Sequence, residues 1–239
     1  MRFSREDKDI AQYLLIVGSN PAQHTKIWPL SPIGRGNVLK KRTGMDSNSI
    51  GVTKIKMMKN LVYIDKLIDE DFIDTLVKEV SWVDETKMRR ECFMANSDIE
   101  YSYLDHSGAP TYKSTPMIPI VKSIMDKVNE NLGTGLDICF LNMYANSRNG
   151  LGWHADDSHS IDHNDGIAVV SFGAEREIWW KEKGDKGVVP DENKRKLENG
   201  SLFYMPPGFQ DTHLHRIPKH DRDCGPRVSL TFRKYKAAE

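Results

Sequence analysis

The second half of the chain limits the fold most. After Gly135 it breaks into short runs of strand character separated by turns, at 137–145, 167–173, 176–181, 201–205, 212–217 and 227–235. Apolar–polar alternation, β-branched and aromatic enrichment and Gly or Pro breaks mark such runs as strands. Ahead of them lie two segments with helical spacing. The first starts at Asp69, an N-cap candidate followed by acids, and places Phe72, Leu76, Val77 and Val80 on one face. The second is capped by Thr115 with Pro116 in its first turn. It carries the stripe Ile120, Val121, Ile124, Met125, Val128 and Leu132, and ends at Gly133. Helices followed by many short strands predict an α+β sandwich or barrel buttressed by the N-terminal helices, with a jelly roll favoured.

At 239 residues and 38% apolar content, the chain can bury the core of one compact domain and still leave roughly 50 residues as an extension. Residues 1–58 lack sustained periodicity and are read as an appended arm. From Arg35 to Lys59 the arm is locally basic, with Asp46 its one acid. Residues 59–239 are read as the catalytic domain, with a lid region at about 85–115, where short extended pieces end in the turn Ser107-Gly108-Ala109-Pro110. Lys+Arg and Asp+Glu each total 34, so no global positive field announces a polyanionic partner. Cys92, Cys139 and Cys224 are too few and too scattered for a disulfide framework or a CxxC site. They point to a reducing compartment, cytoplasmic or nuclear. No stretch approaches the ~18 apolar residues of a membrane span, so a soluble protein is expected, provisionally a monomer.

Chemistry concentrates in three places. In Asp137–Ala145, alternation puts Phe140, Asn142 and Tyr144 on one face and Cys139, Leu141 and Met143 on the other, leaving two polar groups on an otherwise apolar strand. Nearby, Trp153-His154-Ala155-Asp156 sets an imidazole and a carboxylate two residues apart, able in extended backbone to turn toward one cation, with His159, Asp162, His163 and Asp165 as rival donors in the same segment. Two histidines and one carboxylate leave three octahedral positions open, which suits an iron(II) that must also take a bidentate ketoacid and dioxygen. The distant third ligand has two candidates, His213 and His215, which alternation places on the same side of one strand. In the C-terminal run, Arg227, Ser229, Thr231 and Arg233 share one face and Val228, Leu230 and Phe232 the other. Two arginines on the inner side of a buried strand are costly unless anions meet them. A dicarboxylate would do so, with Arg227 and Ser229 suited to its distal carboxylate. Six residues of strand span roughly 20 Å, so both arginines reach one small ligand only if their side chains converge.

The motifs Leu141-Asn142-Met143-Tyr144, Trp153-His154-Ala155-Asp156-Asp157, Val170-Ser171-Phe172-Gly173, Gly200-Ser201-Leu202, His215-Arg216-Ile217-Pro218 and Pro226–Arg233 occur in an order and spacing that resemble the AlkB family of 2-oxoglutarate dioxygenases. The resemblance runs from about residue 60 to the C-terminus. It implies a double-stranded β-helix holding iron(II) with His154, Asp156 and His215, the spacing to Arg227 selecting His215 over His213. It further implies that Asn142, Tyr144, Arg227, Ser229, Thr231 and Arg233 surround 2-oxoglutarate, with dioxygen as cosubstrate. Family members that repair alkylated DNA or RNA flip the damaged base beneath an N-terminal lid. Residues 90–103, above all Tyr101 and Tyr103, look similar to that lid, and Asp157 and Ser158 stand where repair members often carry an acid. The expected function is therefore oxidative demethylation of N-alkylated bases. The competing readings are the same chemistry on a protein, lipid or small molecule, and a non-catalytic metal-binding jelly roll or nucleic-acid-binding adaptor. Adjacent Trp179 and Trp180 are expected to face opposite sides of a strand, the outward one packing rather than stacking on a ligand.

Overall fold

The structure is a computed structural model that describes residues 25–28, 61–86, 89–102 and 111–236. In chain order its elements begin with β1 (Thr25–Trp28), β2 (Leu61–Ile64), α1 (Ile73–Glu79), β3 (Val83–Thr86), β4 (Arg89–Ala95), β5 (Glu100–Ser102), β6 (Thr111–Lys113) and β7 (Thr115–Pro116). Helix α2 (Pro119–Leu132) leads into β8 (Ile138–Tyr144), β9 (Leu151–His154), β10 (Ile161–Asp162), β11 (Ile167–Gly173) and β12 (Arg176–Glu182). The chain closes with β13 (Lys194–Leu197), β14 (Leu202–Met205), the single turn α3 (Phe209–Thr212), β15 (His213–Ile217) and β16 (Arg227–Tyr235).

Among the described residues these strands form a large sheet in the order β1-β2-β14-β11-β16-β8-β4-β3, faced by a smaller sheet in the order β13-β12-β15-β9. Strand β16 is central, pairing antiparallel with β11 on one side and β8 on the other over most of its length. Because the large sheet is covered on both faces, its inner strands are buried on both. All four residues of β2 and all seven of β8 are buried. Alternation then sorts side chains into different cores. Val62 and Ile64 of β2 join Leu141, Leu230 and Phe232 under the helices, while Leu61 and Tyr63 join Val169, Ile178 and Phe203 between the sheets. A third cluster packs Phe93, Tyr101, Tyr112 and Phe140 beneath the β5–β6 hairpin. Each such large side chain withdrawn from water contributes about 1.5–3 kcal/mol.

This two-sheet sandwich with helices on one outer face is the jelly roll the strand pattern predicts. Both helices start later than expected. Helix α1 begins after Phe72, and Asp71, not Asp69, accepts the Ile73 amide N–H. Helix α2 starts at Pro119 because Thr115–Pro116 is taken up as strand β7 against β4. A proline suits the first turn equally at either position, since that turn's N–H has no intrahelical partner. The predicted end holds, with Gly133 left-handed at φ 63°. Strand β1 falls inside the stretch read as an arm and pairs with β2; the rest of residues 1–58, Tyr103 and the 107–110 turn lie outside the described residues.

Gly200 shows how tightly the sheet edge is tied. Its carbonyl accepts the N–H groups of Leu67 and Ile68, and its own N–H donates to Ser171 O at 2.7 Å. Its φ is 78°, and a Cβ there would lie 2.0 Å from the Ile68 carbonyl oxygen. Gly200→Ala is therefore expected to cost about 2 kcal/mol or more and to lower Tm by roughly 4–8 °C. Thermal denaturation followed by circular dichroism checks this, and an unchanged Tm would refute the close-approach argument.

Candidate metal centre and anion pocket

The smaller sheet brings the expected metal ligands together. His154 ends β9 and is the cross-strand partner of His215 in β15, so both imidazoles project to the same side of adjacent strands. Asp156 follows two residues after His154 and is 2% exposed. His154 Nε2 lies 3.7 Å from Asp156 Oδ1, His215 Nε2 lies 4.0 Å from Asp156 Oδ2, and the two imidazole centroids are 4.2 Å apart. One donor atom from each of the three falls within 4.8 Å of the others, close enough to converge on a single cation.

His213 goes elsewhere. Its ring stacks on Phe209 at 4.8 Å and its Nδ1 meets Thr212 Oγ1 at 2.8 Å. Geometry thus separates two histidines that alternation could not.

The surroundings prepare each ligand. His154 Nδ1 is 2.9 Å from the Gly152 carbonyl, which only accepts, so Nδ1 carries the proton and Nε2 offers its lone pair to the site. Asp156 accepts from Arg233 Nη2 at 2.8 Å through Oδ2, while its backbone N–H donates to Gln210 Oε1 at 2.9 Å. Its other oxygen, Oδ1, is buried with no hydrogen-bond partner and faces His154. Burial alone would raise the Asp156 carboxyl, but Arg233 and then His154 and His215 outweigh it and hold the group well below the usual carboxylate range. Burial, reinforced by His154, pushes the His215 imidazole down to about 3, so it stays neutral and able to ligate.

A cavity opens between the sheets against these residues, and Asn142, Tyr144, Arg227, Ser229, Thr231 and Arg233 all line it. The arginines divide their work. Arg233 binds the Asp156 carboxylate. Arg227, six residues back along β16, donates Nη2–H to Ser171 Oγ at 2.9 Å and lies over the Tyr144 ring. Burial lowers the Arg227 guanidinium to about 10, so it remains a cation at neutral pH. Its Nε and Nη1 are buried without hydrogen-bond partners. A buried cation with unused donors is strongly unfavourable until an anion meets it. The donor set therefore fits both groups: an oxygen- and nitrogen-ligated divalent iron at the triad, and a carboxylate-bearing ligand at Arg227.

The residues expected at the substrate are placed differently from one another. Tyr101 is fully buried, its ring 5.3 Å from Phe93 and 5.9 Å from Phe140, and burial pushes its hydroxyl up to about 12. It belongs to the packing behind Arg233, whose guanidinium lies 5.8 Å from its ring centre. Ser158 is also buried, donating its hydroxyl to Ser102 O, while Asp157 is exposed and ion-paired with Lys183. Trp180 enters the core, and Trp179 packs outside against the Arg216 guanidinium, as expected for adjacent residues of one strand. Sequence reasoning missed Gln210, which follows a Pro-Pro-Gly turn and carries no local signal. It also gave no role to Ser171, although a lone hydroxyl in the apolar run 167–172 was visible.

Residues 64–233 match the 2OG-Fe(II) oxygenase superfamily. The chain belongs to that superfamily. Its relatives include the DNA oxidative demethylase ALKBH2 of Arabidopsis thaliana, 30% identical over 208 residues that make up 73% of this chain and 66% of that protein. The ALKBH2 of Mus musculus is 30% identical over 150 residues, 61% of each chain. Human alpha-ketoglutarate-dependent dioxygenase alkB homolog 3 is 27% identical, over 67% of this chain and 59% of that one. The chain thus spans roughly three-fifths to two-thirds of the length of these curated relatives. A solved structure of OsALKBH1 shares the fold with a TM-score of 0.50 and 19% identity, covering 73% of this chain and 96% of that one. The AlkB-like resemblance and the jelly roll it implies are thereby established, as are iron(II) and 2-oxoglutarate as the family's cofactor and cosubstrate. No helix among the described residues is long and apolar enough to cross a membrane.

The buried imidazole has a stability consequence. Because folding depresses the His215 pKa from 6.5 to about 3, the unfolded chain binds the extra proton first. Stability is therefore full above ~6.5 and lost as pH falls toward 3, at up to about 1.4 kcal/mol per pH unit. Metal-free protein in chelator should lose Tm progressively through this window, and His215→Asn should flatten the decline. Differential scanning fluorimetry across pH tests it; an unaltered slope in the variant would show that another group carries the effect.

Proposed function

We propose that this protein is an iron(II)- and 2-oxoglutarate-dependent oxidative demethylase of N-alkylated bases in DNA or RNA, with residues 59–239 as its catalytic domain. The carrying observation is a single cavity that joins a buried two-histidine, one-carboxylate cluster to a buried arginine with unused donors. In this reading His154 Nε2, Asp156 Oδ1 and an imidazole nitrogen of His215 hold the iron. Arg227 and Ser229 take the distal carboxylate of 2-oxoglutarate, while Asn142, Tyr144, Thr231 and Arg233 complete its walls. When bound, iron and 2-oxoglutarate together activate dioxygen for oxidation of a substrate C–H bond, with release of succinate and carbon dioxide. An N-methyl group so oxidised leaves as formaldehyde.

The chain's own residues do the rest. Arg233 keeps Asp156 ionised and turned so that Oδ1 faces the metal position. Gly152 O fixes the His154 tautomer. Val169, Ile178 and Ile217 make the remaining cavity wall apolar, limiting water around the reacting groups. The nucleic-acid substrate is supported by the relatives, which are DNA oxidative demethylases by name. The three cysteines are free thiols, in keeping with the cytoplasm or nucleus, where such a substrate is found.

One observation favours a second substrate class. Ser158 stands where repair members often carry an acid, and its buried hydroxyl is committed to Ser102 O, so this position offers no carboxylate to a base amino group. The same chemistry on a protein, lipid or small molecule accommodates that change.

The deciding assay supplies iron(II)-loaded protein with 2-oxoglutarate, with and without single-stranded oligonucleotides carrying 1-methyladenine or 3-methylcytosine. Formaldehyde that depends on the methylated oligonucleotide is the expected result. Succinate without formaldehyde would keep the oxygenase and replace the substrate, and neither product from iron-bound protein would favour a non-catalytic role. His154→Ala and Asp156→Ala should each abolish turnover. Arg227→Met should raise KM for 2-oxoglutarate roughly 30-fold or more, the loss of about 2 kcal/mol expected when a buried charge-assisted contact is removed. Wild-type turnover in either ligand variant would overturn the metal assignment.

A further inference from the structure

Among the described residues, apart from the metal-ligand cluster, Arg227 and Arg176, buried charge gathers at one patch of the large sheet. Glu91 of β4 is 1% exposed and sits directly across from Asn142 of β8 in the antiparallel register. Arg89 lies two residues before Glu91, hence on the same face of the strand. It forms an ion pair with Glu91 and donates its Nε–H to Asn142 Oδ1 at 2.7 Å. From β6, Tyr112 donates its hydroxyl to Glu91 Oε2 at 2.6 Å. Hydrogen bonds therefore run from Tyr112 to Glu91 and from Arg89 to Asn142, and the ion pair joins Arg89 to Glu91.

Chemistry fixes the orientation at the end of this chain. A guanidinium has donors only, so the Asn142 atom that meets Arg89 has to be the amide oxygen. The NH2 of Asn142 is then turned away from Arg89, and Asn142 lines the cavity that Arg227 also lines. We infer that Arg89, held by Glu91 and Tyr112, is a positioning residue that locks the Asn142 amide with its NH2 as a donor to 2-oxoglutarate. This rests on the proposed function above.

The lock matters because an amide that can turn over presents its carbonyl as readily as its NH2, and a carbonyl facing an acceptor-rich ligand repels it. It also accounts for the ion pair. An apolar pair of similar size in place of Arg89 and Glu91 would pack about as stably, but it would leave the amide free to choose. Selectivity for a ligand rich in oxygen acceptors follows from one fixed amide.

The test measures 2-oxoglutarate binding without turnover, by isothermal titration calorimetry on the full chain loaded with manganese(II) under anaerobic conditions. Arg89→Met should weaken binding roughly tenfold, with manganese(II) affinity, read by electron paramagnetic resonance, unchanged. Tyr112→Phe, a smaller perturbation that serves if Arg89→Met does not fold, should weaken it about two- to threefold. In an Asn142→Ala background neither change should add further loss, because the group they position is gone. Failure of the wild-type protein to bind 2-oxoglutarate would overturn the functional reading itself. Wild-type binding with Arg89→Met equally tight, a loss that adds fully to Asn142→Ala, or a parallel loss of manganese(II) would overturn the positioning role alone.

Discussion

A guanidinium and a carboxylate inside a β-sandwich are tolerable only if each answers the other, and Arg233 with Asp156 meets that condition at 2.8 Å with both side chains 2% exposed. The pair joins the central strand β16 of the large sheet to the segment just beyond β9 of the small one. It therefore fixes where the two sheets stand relative to each other at the point where the ligands converge. It also sets the chemistry, because Arg233 occupies Oδ2 and leaves Oδ1 to face His154. Removing either partner would strand a buried charge, at a cost of about 3–5 kcal/mol.

The second arginine of β16 illustrates the opposite arrangement. Arg227 donates to Ser171 Oγ and lies over the Tyr144 ring but keeps two buried donor nitrogens without hydrogen-bond partners. Protein structures rarely leave such groups unmet, and here the unmet groups border a cavity that His154, Asp156 and His215 also line. Stability given up at Arg227 is binding energy held ready for an anion. Helix α2 and the apolar faces of β8 and β16 supply the compensating burial on the far side of the sheet.

The substrate side is built on different terms from the cosubstrate side. Tyr101 supports Arg233 from within the core, Ser158 is tied to Ser102, and Asp157 is held at the surface by Lys183. Between the relatives and this chain, the shared part is the iron and 2-oxoglutarate machinery spread over residues 64–233.

The strand-rich second half, the facing of Asn142 with Tyr144 and of Arg227 with Arg233, and the HxD pair were all legible in the sequence, because each follows from period-two alternation or from a spacing of a few residues. The boundaries of α1 and α2 were less legible: Pro119 and Thr115–Pro116 compete for the same start, and pairing with β4 decided it. Alternation could not separate His215 from His213; the family-like spacing to Arg227 favoured His215, and cross-strand register with His154, a contact 61 residues distant in sequence, places it at the site. Tertiary structure alone sent Arg233 to Asp156, buried Tyr101, and brought Gln210 and Arg89 to the site. Those contacts are made between strands far apart along the chain, and local patterning specifies which face a side chain occupies but not what meets it there.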